Sequence, residues 1–128
     1  MQPAERVVKL PDANHPITLA LTGVHVIVRS EGRIIADTRR AVTFTESKYA
    51  PVQYIPREDV DMSLLDATEH KTYCPYKGEA SYFSIRDGGE RGINAVWSYV
   101  GVYPAVAQIN ECLAFYPDRV DSIEVLED

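Results

Sequence analysis

The sequence is poor in cysteine: only Cys74 and Cys112 occur among its 128 residues. Two are too few for a disulfide framework or a four-cysteine zinc site, so both thiols are expected to be reduced. No stretch approaches the ~18 apolar residues of a membrane span, and Met1 to Leu10 lacks the apolar core of a secretory leader. The expectation is a cytoplasmic protein with no membrane partner. Clustered basic residues are missing as well. The longest basic run is Arg39-Arg40, and the formal net charge is −6. Nucleic-acid binding needs a patch of Lys and Arg to neutralise phosphates, so nucleic acid is not an expected partner. There is no glycine-rich phosphate loop, dinucleotide fingerprint or serine elbow. No two histidines have metal-ligand spacing. Asp59-Val60-Asp61 is an isolated carboxylate pair and a weak signal for Mg²⁺. No metal and no cofactor is called for.

What is present is the composition of an ordinary globular domain, with 45% hydrophobic and 25% charged residues. The reading is one domain over 1–128, with residues 1–16 as an extended N-terminal arm carrying Pro3, Pro11 and Pro16. A chain of this size buries about two thirds of its unfolded surface, enough for a core without a metal or disulfide.

Period-two alternation dominates, so the fold class is mainly β (α+β), built from antiparallel sheets. Ile17–Leu21, Val24–Arg29, Ile34-Ile35, Ala41–Thr45 and Val52–Ile55 read as strands, with a hairpin turn at Glu31-Gly32. A short helical turn is expected near 60–66, capped by Asp59 or Asp61. Thr68–Gly78 reads as an ordered loop or irregular strand. Ala80–Arg86 and Arg91–Tyr99 read as a hairpin about Asp87-Gly88. One C-terminal helix is expected over about 104–116, because Pro104 suits the first helical position and Val106, Ile109, Leu113 and Tyr116 form an apolar stripe. Cys112 lies on or beside that stripe and should be inert. Val120–Leu126 reads as a last strand.

The chemistry gathers between Arg57 and Tyr99. Cys74 is a candidate nucleophile, with His70 as acid/base and Lys71 and Lys77 as nearby cations that would favour a thiolate. If the backbone runs extended, His70 and Cys74 stand ~13 Å apart, so direct contact needs a bend. The plainer reading of Cys74 is a small buried hydrophobe. Arg57 could grip an anion through its guanidinium fork, or could order a loop beside Asp59. Tyr82, Trp97 and Tyr99 suit a pocket wall that also offers hydrogen bonds, or plain core. Seven of the eight tyrosines lie between Tyr49 and Tyr103, and core packing alone does not explain that preference over phenylalanine. His15 and His25 carry no site reading.

Four segments carry a family resemblance. They are Tyr54-Ile-Pro-Arg57-Glu-Asp59-Val, Thr68-x-His70-x-Thr72-x-Cys74-Pro-x-Lys77-Gly78-x-Ala80-x-Tyr82, Asn94-Ala-Val-Trp97-x-Tyr99 and Ala114-Phe-Tyr-x-Asp-x-Val120. Together they resemble the bacterial domain-of-unknown-function family 427, over Val7 to Val125. That family is uncharacterised and sometimes labelled nucleotidyltransferase-like, but the Gly-Ser or Gly-Gly that label requires upstream of the D-x-D is absent here. The resemblance also implies a β-tent-like fold, similar to methionine sulfoxide reductase B and the cereblon ligand-binding domain. The paired cysteines of their zinc site are missing, so zinc is not carried over.

Three functions compete. The leading one is a module that binds a small, anionic molecule in a pocket formed by Arg57, Asp59, His70, Thr72, Cys74, Lys77, Tyr82, Trp97 and Tyr99. The second is a thiol-dependent enzyme using Cys74 and His70. The third is a structural or interaction protein without a pocket. Local sequence does not report oligomeric state, so a homo-oligomer stays open.

Overall fold

The structure, a computed structural model, describes residues 7–127. Ten strands run in chain order: β1 (Ile17–Leu21), β2 (His25–Ser30), β3 (Arg33–Thr38), β4 (Val42–Glu46), β5 (Val52–Tyr54), β6 (Leu65–Cys74), β7 (Gly78–Ile85), β8 (Val96–Tyr99), β9 (Leu113–Phe115) and β10 (Ser122–Leu126). They form three antiparallel sheets, ordered β1-β4-β5, β10-β2-β3 and β6-β7-β8-β9. The mainly β expectation holds. Short 3₁₀ turns are the only helical elements among the described residues.

The four-stranded sheet lies between the other two and presents a core on each face. Leu65, Ile85, Val96, Leu113 and Phe115 pack toward β2 and β3 with Val26, Val28 and Ile35. The alternate residues Ala80, Tyr82, Tyr99 and Ala114 pack toward β4 and β5 with Val42, Phe44 and Tyr54. Two-sided burial follows from the side-chain period of two.

The β2–β3 hairpin turns at Glu31-Gly32, both with positive φ (52° and 73°), as a two-residue turn matched to strand twist requires. Asp61 accepts from the Ser63 amide (3.1 Å) at the head of a 3₁₀ turn over Met62–Leu64. The helical turn near 60–66 is therefore capped by Asp61 and not by Asp59.

Two expectations are corrected. The helix over 104–116 is absent. A 3₁₀ turn covers Pro104–Ile109, Val106 leaves helical geometry (φ −124°, ψ 29°), and β9 follows. Tertiary pairing overrides the helical stripe. Leu113 exchanges both backbone hydrogen bonds with Ile55 at 2.8 Å, and the Asn110 carboxamide accepts from the amides of Gly101 and Val102. The tight hairpin at Asp87-Gly88 is also absent. β7 and β8 do pair, Tyr82 opposite Trp97, but Arg91–Ala95 is not strand. A 3₁₀ turn at Gly89–Gly92 seats glycine backbone on Ile85, and the Asn94 amide donates to Ser84 Oγ (3.0 Å).

The N-terminal arm, where described, runs irregularly against the β6–β7 turn. The Lys9 amide donates to the Pro75 carbonyl (3.0 Å). Its residues 1–6 lie outside the described residues. Among the described residues, no helix is long and apolar enough to cross a membrane.

Candidate functional site

β6 is an outer strand interrupted by a bulge. Ala67 pairs with Phe83 and Lys71 with Ser81, so Thr68, Glu69 and His70 all stand opposite Tyr82. Thr68 Oγ1 donates to Asn94 Oδ1 (2.7 Å), fixing the bulge to the β7–β8 connection. The bulge re-aims a side chain, as such features do: the exposed His70 ring meets Tyr82 edge-on, 4.5 Å between centroids.

From Tyr82 a hydroxyl chain runs in both directions. Its phenol is 3.0 Å from Thr72 Oγ1 and 3.3 Å from the Tyr116 hydroxyl. Burial, followed by the contact with Tyr82, pushes Tyr116 up to about 12. It is therefore a neutral hydrogen-bonding group at neutral pH. His70, Tyr82, Asn94 and Tyr116 form one side of a cleft of about 620 Å³. Glu90, Asp118 and Arg119 bring charge to it. Arg119 Nη1 donates to the carbonyls of Arg91 (3.4 Å) and Ile93 (3.2 Å). Among the described residues no carboxylate forms an ion pair with Arg119.

The structure does not gather the nine expected site residues into one pocket. Thr72, Cys74, Tyr82, Trp97 and Tyr99 do share a face of the sheet. Arg57 lies on the opposite face. Its Nη2 donates to the buried Ser98 Oγ (3.1 Å), its Nε to the Glu111 carbonyl (3.2 Å), and its guanidinium sits over Phe83. Asp59 is further off, accepting from Thr38 Oγ1 (2.7 Å) and Arg40 Nη2 (3.0 Å). Burial opposes ionisation of Asp59, but those two hydrogen bonds outweigh it and hold the carboxyl below its ordinary value.

Lys77 is on the tyrosine face but is already engaged. Its ammonium lies 4.9 Å from the Phe44 ring centre and 5.2 Å from that of Tyr99, and 3.5 Å from Glu46 Oε1. His15 completes the cluster, 2.7 Å from Glu46 Oε2 and stacked on Tyr76. Cys74 is half-buried at the end of β6. Among the described residues, no hydrogen bond joins it to His70. Cys112 is buried, and burial pushes its thiol up, as expected of an inert cysteine.

Sequence reading missed His15, Glu46, Asn94, Tyr116 and Arg119. Asn94 and Tyr116 stood inside quoted family segments, and that was the only signal available. No cluster of three metal-ligating side chains occurs among the described residues.

Fold and site define a mainly antiparallel β protein with a polar, tyrosine-walled cleft at a strand bulge. Residues 18–126 match the family described as domain of unknown function DUF427, and the chain belongs to that family. Among curated proteins nothing matches it.

Proposed function

We propose that the chain binds a small monoanionic molecule in the cleft beside the β6 bulge. The observation that carries this reading is Arg119, whose guanidinium borders the cleft with no carboxylate partner among the described residues. A guanidinium so placed can hold a carboxylate or similar group in two-point fashion. The hydroxyls of Tyr82 and Tyr116 and the amide of Asn94 would orient the rest of the ligand, with the His70 ring at its edge. Glu90 and Asp118 disfavour a second negative charge. Arg57, Asp59 and Lys77 are engaged elsewhere and take no part in holding the ligand. The thiol-enzyme reading has less support, because His70 packs on Tyr82 and makes no bond to Cys74.

The test is a panel of small aliphatic and aromatic carboxylates followed by amide chemical-shift mapping on the intact chain. Shifts should cluster at His70, Tyr82, Asn94 and Arg119. Arg119→Gln and Tyr82→Phe should each weaken binding about tenfold, in line with a charged or a neutral hydrogen bond lost. Shifts centred instead on Arg39, Arg40 or Arg57, or none with any carboxylate, would remove the proposal.

A further inference from the structure

A second cavity, of about 460 Å³, opens where β5 and β9 part company. These strands are joined by one rung only, the two-way bond between Ile55 and Leu113. In an antiparallel ladder the next hydrogen-bonded rung falls two residues along each strand, here at Gln53 and Phe115. That rung is not formed, because the strands diverge. The Tyr116 amide points the other way, to the Ala95 carbonyl (3.0 Å), so alternation turns the backbone polar groups of Phe115 toward the gap. The same alternation turns those of Gln53 into it from the other side.

None of the ten residues lining this wedge is charged. Val52, Phe115, Ile123 and Val125 make its walls apolar, and Trp97 contributes an aromatic surface. A charged occupant would lose its water without gaining a counter-charge. Nor is the gap suited to an added peptide strand. Pro51 and Pro117 stand where β5 and β9 leave it, and proline offers no amide to continue a ladder. We infer that this wedge is a binding site for a small, flat, uncharged and mainly apolar molecule, held by the Gln53 and Phe115 backbones through one polar edge. This inference is independent of the carboxylate cleft.

Trp97 is the only tryptophan, so the cavity carries its own reporter. N-phenyl-1-naphthylamine, neutral and mainly apolar, is titrated into the intact chain while energy transfer from Trp97 is read. One saturable site is expected. Val125→Lys, at an exposed mouth position, and Val52→Phe, which fills the gap, should each weaken it roughly tenfold at unchanged melting temperature. Leu21→Lys, exposed and outside the wedge, should leave it unchanged. The sulfonated analogue anilinonaphthalene sulfonate should bind more weakly than the neutral probe. Unsaturable binding, equal binding of the sulfonate, or affinity untouched by both wedge variants would overturn the inference. So would affinity that falls as protein concentration rises, because the occupant would then be a second copy of the chain.

Discussion

The rings of Trp97 and Tyr116 lie against each other, 4.5 Å between centroids and tilted by 43°, and they stand between two different cavities. Trp97 borders the uncharged wedge, while Tyr116 borders the charged cleft. The partition itself is pinned from behind, because Trp97 Nε1 donates to the hydroxyl of the fully buried Tyr54 (3.2 Å).

That bond predicts the cost of losing it. Trp97→Phe leaves the buried Tyr54 hydroxyl without its donor and should destabilise the fold by about 1–3 kcal/mol. Adding Tyr54→Phe removes the orphaned group, so the double variant should lose less than the sum of the two single ones. Urea unfolding of the three variants measures this.

Alkaline pH should unfold the protein. Burial pushes Tyr54, Tyr99 and Tyr116 above the ordinary value of 10.0, Tyr116 to about 12. A group raised in the folded state binds its proton more tightly there than in the unfolded chain. Its contribution is complete below pH 10 and is lost as pH rises from 10 toward 12. The expected result is constant stability from these groups at neutral pH and a steep fall above 10, with part of the tyrosinate absorbance appearing only as structure is lost. Full tyrosine titration before any loss of circular dichroism would contradict it.

Arg57→Ala should separate support from binding. It removes the donor to the buried Ser98 hydroxyl, at about 1–3 kcal/mol, yet carboxylate binding in the cleft should stay within twofold of the parent. A large loss of affinity at full stability would return Arg57 to the ligand set.

Two glycine substitutions should fail for different reasons. A Cβ on Gly92 would sit 3.0 Å from the Ile85 carbonyl oxygen, so Gly92→Ala overpacks backbone on backbone and should cost about 1–3 kcal/mol. Gly23 has open space around it but a φ of +75°, so Gly23→Ala should cost only about 1 kcal/mol, from backbone conformation alone. Thermal melts distinguish the two.

The cysteines should differ under iodoacetamide. Cys112 is buried with its thiol pushed up and should react only as the fold opens, while half-buried Cys74 reacts in the native state. Peptide mass spectrometry reads both in one sample. Faster labelling of Cys112 would place the two thiols wrongly.

Most strands were legible because their signals are local. Val42 and Phe44 share a face in the sequence pattern and in the fold, and Glu31-Gly32 turns as its residues demand. The C-terminal helix was misread because Ile109 and Leu113 have helical spacing, but the partner that decides Leu113 is Ile55, more than fifty residues away. Of the residues expected at a site, only His70 and Tyr82 line the candidate cleft. Tyr82 and His70 meet because of a bulge, and nothing in Thr68-Glu69-His70 announces one. Arg57 looked like a ligand group because the groups that engage it, the Ser98 hydroxyl and the Glu111 carbonyl, come from segments more than forty residues away and leave no local trace. His15 looked idle because Glu46, at the end of β4, and Tyr76, in the β6–β7 turn, which engage it, are far away in sequence.

Among the described residues, β6 is a ten-residue strand paired on one side only, and a straight free edge of that length would invite other chains to pair with it. By packing three residues opposite Tyr82, the chain breaks the row of amides and carbonyls near its middle. The kink that brings His70 to the cleft thus also leaves only short runs for a neighbour to copy, favouring dispersed molecules over stacked ones in a crowded solution.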